Sequence, residues 1–336
     1  MKNKFLIIAC WSIVSILFGA GCKKGPQFRE FTYPAQSASG INYNVGFPGM
    51  NVTIKGTNFD TLTGAVKVWF GGIQATTVVS CRDTQIVVQV PATAVSGKVG
   101  LQVWTTKTDS IGSFTVIPAP TYKSISATRG NPGDVITFTG LNFLPDVSAI
   151  KAMIGSSQAQ IVSNSATQVQ FKVPNSVSGT PVVKFNDYPL PGPFFFVGNE
   201  QKITGTLIGH SGSYGNNANT TIAAAVDGNL NTYVDAATAS GYVGYDVGAG
   251  KSAKLTVVRY APRSGQAARM VKGEIRGSND ATLTSYDVLY KITTAPTVGV
   301  LTETAINAAN TYRYIYYYSP DGYCDIAEIE FIGTVQ

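Results

Sequence analysis

The sequence contains few charged residues and a single histidine. Charged residues make up 13% of its 336 residues, about half of the usual share of roughly 25%. Any Ser-His-Asp or Cys-His arrangement would have to use His210, and no Gly-x-Ser-x-Gly turn occurs. A multi-histidine zinc spacing and a complete phosphate-binding loop pattern are also missing. We therefore predict that the chain is not an enzyme, although two distant carboxylates for glycoside hydrolysis stay open at this level.

The residue types favour β-structure, and the charge balance gives no indication of a nucleic-acid partner. The formal net charge is +6, which is small and scattered along the chain. No stretch has the period of a long amphipathic helix. Thr, Val and Tyr are frequent instead, and β-branched and aromatic side chains favour strands. The composition predicts an all-β chain that is long enough for two or three domains.

The N-terminus has the pattern of a secretion signal. Lys2 and Lys4 precede an apolar run at 5–18, which is shorter than the roughly 20 residues of a membrane-spanning helix. Small residues then precede Cys22, and this order resembles the lipobox of bacterial lipoproteins. The resemblance implies a signal peptide at 1–21, acylation of Cys22 and a tether at 22–29. The alternative is an ordinary secretory signal or an uncleaved anchor, with Cys22 incidental.

Two further cysteines, Cys81 and Cys324, lie in different predicted domains. We expect no disulfide between them, because residues of separate domains rarely approach closely enough. Buried thiols that pack as small apolar side chains are the expected outcome.

Two segments repeat one order of landmarks. Pro-Gly pairs at 48–49 and 132–133 lie 84 residues apart, as do Gly-x-Asn-Phe segments at 56–59 and 140–143. Thr-Gln, Val-Pro and Ser-Gly pairs follow in both segments at offsets of 82 or 83. Short alternating runs, among them 66–70 and 182–185, lie between these turns, as expected of an immunoglobulin-like sandwich with about seven strands.

This order of Pro-Gly, strand, Gly-x-Asn-Phe and strand resembles the TIG or IPT domain, an immunoglobulin-like module. The resemblance covers 30–117 and 119–197. It implies that Asn58 and Asn142 serve a turn rather than a ligand, and that both units act as spacers.

The segment 201–336 differs from the repeats, since it holds the histidine, a cluster of tyrosines and longer loops. Its strand-like runs extend over about 135 residues, a size typical of a β jelly roll. Motifs occur at 226–235, 241–248, 259–263, 269–270, 277–280, 312–315, 319–322 and 327–331. Their order resembles the discoidin, or coagulation factor type C, fold and bacterial family 32 carbohydrate-binding modules. The resemblance implies a discoidin-like β jelly roll that binds sugar. Asp246 departs from the pattern, because an apolar residue is expected there.

The loop at 227–232 places several oxygen atoms around a glycine turn, an arrangement that suits a hard cation. The resemblance implies a structural calcium ion held by Asp227, Asn229, Thr232 and Glu328, which would fix the loop to the last strand. The alternative is a hydrogen-bonded Asx turn without a metal.

Sugar recognition needs an aromatic face for the C–H side of the ring and charged or amide groups for its hydroxyls. The loops of 201–336 offer both, with Tyr214 beside the histidine in the entry segment. Three of the predicted carbohydrate-binding residues, Tyr242, Asp321 and Tyr323, are expected in turns. The full predicted set is Arg263, Asp235, Arg269, Tyr233, Tyr323, Asp321, Tyr242 and His210. Simpler roles stay open: Arg263 would pair with Asp235 to hold a loop, and Asp321 would only form a turn. His210 would be a surface or capping residue.

These features predict a non-catalytic lipoprotein of the cell envelope that binds a polysaccharide or oligosaccharide and carries its jelly roll on two sandwiches. The resemblance further implies an anchor in the outer membrane, on the cell surface or on the periplasmic side, and an oligosaccharide importer as a partner. The alternative is an adhesin or envelope-assembly protein whose jelly roll binds another protein.

Overall fold

The computed structural model describes residues 34–336, which form three successive β units. Nearly all of their regular structure is strand, so the all-β prediction is confirmed. Residues 34–336 include no helix with the length and apolarity needed to cross a bilayer. The predicted signal peptide, the tether and Cys22 lie outside the described residues.

The first unit is a sandwich of two sheets. Its strands are β1 (Ser37–Ile41), β2 (Val45–Gly46), β3 (Asn51–Thr57), β4 (Val66–Phe70), β5 (Ile73–Gln74), β6 (Val78–Arg82), β7 (Gln85–Gln89), β8 (Gly97–Val103), β9 (Thr106–Thr108) and β10 (Ser113–Val116). A 3₁₀ helix at Thr63–Ala65 precedes β4. One sheet has the order β1-β3-β7-β6, and the other has the order β2-β10-β8-β4-β5 with β9 beside β8. Val52 and Ile54 of β3 are fully buried between the sheets, as expected for alternate positions of a strand with one covered face.

The second unit repeats this arrangement. Its strands are β11 (Thr121–Ile125), β12 (Arg129–Gly130), β13 (Val135–Leu141), β14 (Ile150–Ile154), β15 (Ser157–Ala159), β16 (Ile161–Asn164), β17 (Gln168–Lys172), β18 (Pro181–Phe185), β19 (Tyr188–Pro191) and β20 (Phe196–Val197), with a 3₁₀ helix at Val147–Ala149. The sheets have the orders β11-β13-β17-β16 and β15-β14-β18-β19, and β12 pairs with β20. The sheet order of β11-β13-β17-β16 matches that of β1-β3-β7-β6, so the sequence repeat corresponds to a structural repeat.

The Gly-x-Asn-Phe segments are architectural in both units. A side chain at Gly56 or Gly140 would bring its Cβ within 2.1 Å of a backbone oxygen of the neighbouring strand. Asn58 and Asn142 both have a φ of 59°, and each amide donates to a backbone carbonyl 23 residues earlier. The phenylalanine that follows each asparagine is buried. The segment therefore closes a turn and anchors it in the core.

The third unit packs two sheets face to face. Its strands are β21 (Gln201–Ile203), β22 (Thr206–Gly209), β23 (Gly241–Asp246), β24 (Ala253–Pro262), β25 (Glu274–Ser278), β26 (Asp287–Lys291), β27 (Thr302–Ala305), β28 (Tyr314–Ser319) and β29 (Ile326–Val335). The 3₁₀ helices are Tyr214–Asn216, Ala218–Thr220, Ile222–Ala225 and Ala267–Met270. One sheet has the order β21-β29-β24-β27, and the other has the order β22-β23-β28-β25-β26. Buried side chains such as Ile315, Tyr317 and Phe331 fill the space between them.

Asp246 breaks the expected apolar pattern because it lies on the outer face of the five-stranded sheet. Both of its carboxylate oxygens accept 2.7 Å hydrogen bonds from the guanidinium of Arg313. The position thus holds a two-point ion pair between β23 and the segment that leads into β28, rather than a core side chain.

The two cysteines are free and buried, as expected. The Cys81 thiol donates weakly to the backbone oxygens of Phe59 and Asp60 at 3.4 Å. Cys324 is fully buried in the core of the third unit.

Candidate functional site

Three loops meet at one end of the third unit, and we call this end the tip. They are the segments 233–240, 263–270 and 320–325. Backbone hydrogen bonds connect them: Ala236 N donates to Tyr323 O at 2.7 Å, and Tyr323 N donates to Ala239 O at 2.8 Å. Gly322 allows the approach of the second loop, since a Cβ there would lie 2.0 Å from the backbone oxygen of Arg269. The tip is therefore built by tertiary contacts between distant segments.

Asp325 lies at the centre of the tip with its side chain fully buried. Its carboxylate accepts a 2.9 Å hydrogen bond from Nη1 of Arg263 and another from Nη1 of Arg269. Arg263 also donates to Asp235 at 2.8 Å. Two carboxylates and two guanidinium groups thus form one network of balanced charge. The hydration that these groups lose on burial is replaced by charge-assisted hydrogen bonds between them.

Each of these arginines also lies over a tyrosine ring. The guanidinium carbon of Arg263 is 3.9 Å from the ring centre of Tyr233, and that of Arg269 is 5.0 Å from the ring centre of Tyr323. Cation–π contacts at these distances orient both partners. The side chain of Arg269 is 39% exposed, whereas that of Arg263 is 22% exposed. Arg269 with the exposed Tyr323 therefore presents more surface to a ligand than Arg263 does.

Tyr214 adds an exposed ring beside this network. Its backbone N donates to Asp235 O at 2.8 Å, and its side chain is 66% exposed. Ser213 and Asn217 hold the turn, since the serine hydroxyl donates to the asparagine carbonyl at 2.6 Å. The exposed ring of Tyr214 therefore offers a further aromatic face beside the network.

His210 packs behind the tip. Its Nδ1 lies 3.0 Å from the backbone oxygen of Tyr242, to which it donates when protonated, and 3.2 Å from the backbone N of Tyr242, from which it accepts when unprotonated. Nε2 is buried without a hydrogen-bond partner among the described residues. Burial lowers the pKa of this imidazole below its ordinary value. The geometry ties the ring to the backbone of β23.

Two other predicted residues lie apart from the network. Tyr242 belongs to β23 and not to a turn, and its ring packs edge-on against Tyr316 at 5.8 Å on the outer face of the five-stranded sheet. Asp321 lies in the loop after β28 and pairs with Lys272 at 2.8 Å on the surface. The structure thus brings Arg263, Asp235, Arg269, Tyr233 and Tyr323 together.

No sequence pattern pointed to Asp325, which is the central carboxylate of the tip. It stands directly after Cys324, and two consecutive residues with positive φ, Tyr323 and Cys324, turn the chain so that the carboxylate points inward. Its partners Arg263 and Arg269 are 62 and 56 residues away in sequence. Only the folded arrangement reveals that role.

The loop at 227–232 forms a hydrogen-bonded Asx turn. Asp227 accepts from the backbone N of Asn229 at 2.8 Å and from the Thr232 hydroxyl at 2.8 and 3.0 Å. Asn229 O accepts from the same hydroxyl at 2.7 Å. Glu328 of β29 accepts from Gly228 N at 2.9 Å through one oxygen, which joins the loop to the last strand.

The other oxygen of Glu328 is the observation that fits a cation. This Oε1 is buried and has no hydrogen-bond partner among the described residues. Burial raises the pKa of Glu328 to about 7. Residues 34–336 contain no group of three or more His, Cys, Asp or Glu side chains suited to a metal, so a cation here would need amide, hydroxyl or backbone oxygens as well. Asp227, Asn229, Thr232 and Glu328 supply such a mixed oxygen set.

Comparison with known proteins identifies the two sandwiches. A family model described as "IPT/TIG domain" matches residues 37–116 and 120–189. Both sandwiches are IPT/TIG domains. The predicted family of the repeat is therefore confirmed. No curated protein matches the chain.

Several solved structures are similar to parts of this chain. The CBM62 module of Clostridium thermocellum Xyl5A is 40% identical, with 40% of this chain and 98% of that chain covered and a TM-score of 0.39. Chitosan-binding module 1 from a chitosanase/glucanase of Paenibacillus sp. IK-5 is 20% identical, with 38% and 95% covered and a TM-score of 0.30. The plexin A4 extracellular region is 12% identical, with 90% of this chain and 22% of that chain covered and a TM-score of 0.38.

Beyond the IPT/TIG domains, the tip offers both kinds of group that a sugar needs. The guanidinium groups donate in fixed directions, Asp235 accepts, and tyrosine rings provide apolar faces. The groups are already held by one another, so little side-chain freedom would be lost when a ligand binds.

Proposed function

We propose that this chain is a non-catalytic glycan-binding protein of the bacterial cell envelope and that it captures a saccharide at the tip of its third unit. One observation supports this most directly: Arg263 and Arg269 share the buried carboxylate of Asp325 while each lies over a tyrosine ring. A fixed set of donors beside aromatic faces suits a neutral, hydroxyl-rich ring.

The same network favours binding over catalysis. Glycoside hydrolysis uses one carboxyl as a proton donor and a second as a base or nucleophile. Asp235 and Asp325 instead face guanidinium groups at 2.8 and 2.9 Å. Their hydrogen bonds hold the arginines in place for a ligand rather than leaving a pair of carboxyls directed at a reacting bond.

A calcium ion is proposed as a structural cofactor of the loop at 227–232. The unpartnered buried oxygen of Glu328 supports this proposal, since a buried carboxylate oxygen without a partner is unfavourable. The ion would connect the loop to β29 beneath the tip and supply no chemistry to the sugar.

The envelope location rests on the sequence of the N-terminus. We propose that Cys22 is acylated, that the lipid holds the chain in the outer membrane and that the IPT/TIG domains hold the third unit away from the anchor. Delivery of the bound glycan to an oligosaccharide importer completes this proposal.

The test of sugar binding is affinity electrophoresis of the full chain in gels that contain xylan, galactomannan, alginate or chitosan, followed by a printed glycan array. We expect retardation by at least one polysaccharide. The Tyr214→Ala variant is the first probe, because its exposed ring can be removed without opening the ion-pair network. We expect it to weaken retardation, whereas Leu141→Ala on the surface of the second IPT/TIG domain leaves it unchanged.

Two results would contradict the proposal. One is the absence of retardation and of array binding for the wild-type chain. The other is binding only to proteins of an envelope extract, which would favour an adhesin or assembly factor instead.

A further inference from the structure

A row of tyrosines runs along the outer face of the five-stranded sheet and begins next to the tip. This tyrosine row consists of Tyr242 of β23, Tyr318 of β28 and Tyr286, which immediately precedes β26. The second IPT/TIG domain contacts the other sheet of the third unit, where Glu303 accepts from Thr180. The outer face with the tyrosine row is therefore directed away from the IPT/TIG domain.

Arg276 holds two rings of the row in place. Its guanidinium carbon lies 3.8 Å from the ring centre of Tyr286 and 3.7 Å from that of Tyr318. The same guanidinium donates to Glu274 at 2.6 and 2.8 Å. Because the guanidinium lies over both rings, their orientation is set before any ligand arrives. Glu274 compensates the charge of Arg276, and Lys291 lies 3.6 Å from the other oxygen of the same carboxylate.

Tyr242 connects the row to the tip. It pairs across the strands with Tyr318, and its ring packs against Tyr316 at 5.8 Å. The preceding residue, Gly241, reaches the tip: a Cβ there would lie 2.9 Å from the Cβ of Cys324 and from Nδ1 of His210. The row therefore begins beside the tip and runs across the sheet, from β23 through β28 toward β26.

The exposed positions of the row suit a sugar chain. Tyr286 is 41% exposed, and Tyr242 and Tyr318 are half-buried. Tyr242 and Tyr318 lie on neighbouring strands, which are about 4.8 Å apart. β25, which carries Arg276, separates Tyr318 from Tyr286, so the three rings extend across four strands of the sheet. An aromatic row that extends a donor-rich tip matches an extended, hydroxyl-rich polymer.

We propose that the tyrosine row provides additional subsites for a glycan chain whose first part is bound at the tip. This inference rests on the proposed function of the tip. It defines the ligand class further: the third unit binds a polysaccharide over several consecutive sugar residues, and affinity rises with chain length.

The experiment compares short and long ligands. Oligosaccharides of two and of six residues are prepared by partial hydrolysis of whichever of xylan, galactomannan, alginate or chitosan retards the full chain. Their affinities are measured by isothermal titration calorimetry. For wild type we expect the longer oligosaccharide to bind more tightly. Tyr286→Ala should weaken binding of the six-residue ligand by about threefold to tenfold, the worth of one aromatic contact, and leave the two-residue ligand unaffected. Tyr286→Phe keeps the ring and should retain the full length dependence.

The outcomes separate this inference from the tip proposal. Two results would contradict subsites on the tyrosine row but leave saccharide binding at the tip unaffected. One is that wild type binds both oligosaccharide lengths with equal affinity, and the other is that Tyr286→Ala binds the six-residue ligand as tightly as wild type does. Loss of both ligands in Tyr214→Ala, with the row variants unaffected, assigns all binding to the tip. A wild-type chain that no polysaccharide retards removes the tip proposal itself. Circular dichroism melting curves exclude unfolding as the cause of a loss.

Discussion

Arg263 donates a 2.9 Å hydrogen bond to Asp325, whose side chain is fully buried. A buried carboxylate is stable only while its charge is compensated. The pair therefore has a structural role in joining two tip loops as well as the proposed role in binding, and variants at the two arginines should separate the two effects.

Arg263→Ala should destabilise the chain more than Arg269→Ala. The first change takes a guanidinium partner from two carboxylates, Asp235 and Asp325, and should cost about 2 kcal/mol. The second change removes a more exposed side chain and should cost about 1 kcal/mol. Urea denaturation of each variant measures the two free energies of unfolding. The same order should hold in high salt, and equal or reversed costs would contradict the central role of Arg263.

Calcium should stabilise the third unit. A ligand that binds only the folded chain raises its stability by about 2.7 kcal/mol at a concentration one hundred times its Kd. We expect calcium chloride to raise the melting temperature and a chelator to reverse the change. Glu328→Gln should abolish this response, since it removes the charge of the carboxylate with the unpartnered oxygen. Asp187→Asn, at an exposed carboxylate of the second IPT/TIG domain, is the matched control and should respond like wild type. A melting temperature that changes with neither calcium nor chelator would contradict the proposed calcium site.

The pair formed by Asp246 and Arg313 should make stability depend on acid pH. The hydrogen bonds from Arg313, with a smaller contribution from Gly248 N, hold the pKa of Asp246 below its ordinary value of 3.8. A carboxyl with a lowered folded-state pKa stabilises the fold above the ordinary value, and this contribution is lost as pH falls through the folded-state pKa. Wild type should therefore exceed Asp246→Asn in stability at pH 6, with the difference shrinking below pH 3.8. Melting curves at a series of pH values test this, and a constant difference would count against it.

Glu303 should hold the third unit against the second IPT/TIG domain. Its carboxylate accepts from Thr180 N at 3.0 Å and from the Thr180 hydroxyl at 2.8 Å, and Arg259 beside it lies 4.6 Å over the ring of Phe194. Glu303→Ala removes the charge-assisted contacts and should increase the radius of gyration in small-angle scattering and the rate of proteolysis near 198–200. Lys254→Ala, at an exposed position of β24, serves as the control. An unchanged radius and cleavage rate would show that the remaining contacts suffice.

The strand pattern was largely accessible from sequence, because alternation and turn residues are local. The run at 66–70 coincides with β4 (Val66–Phe70), and the run at 182–185 lies within β18 (Pro181–Phe185). The tyrosines were harder. Tyr242 was assigned to a turn although it belongs to β23, because it directly follows Ser240-Gly241 and a Ser-Gly pair is a turn signal.

The members of the tip were only partly accessible. Aromatic and charged residues in loops identified Arg263, Asp235, Arg269, Tyr233 and Tyr323 as candidates, and the structure brings these five together. Whether they bind sugar stays a prediction.

What the sequence determined by itself is the all-β character, the repeat of two sandwich units and the order of loops and strands in the third unit. These follow from local alternation, turn chemistry and spacing, which act over a few residues. The tertiary structure alone decided that Asp325 joins two arginines, that Asp246 belongs to an ion pair and that a row of tyrosines extends the tip. Each of these depends on which strands become neighbours, and that choice is made by the packing of side chains that are far apart along the chain.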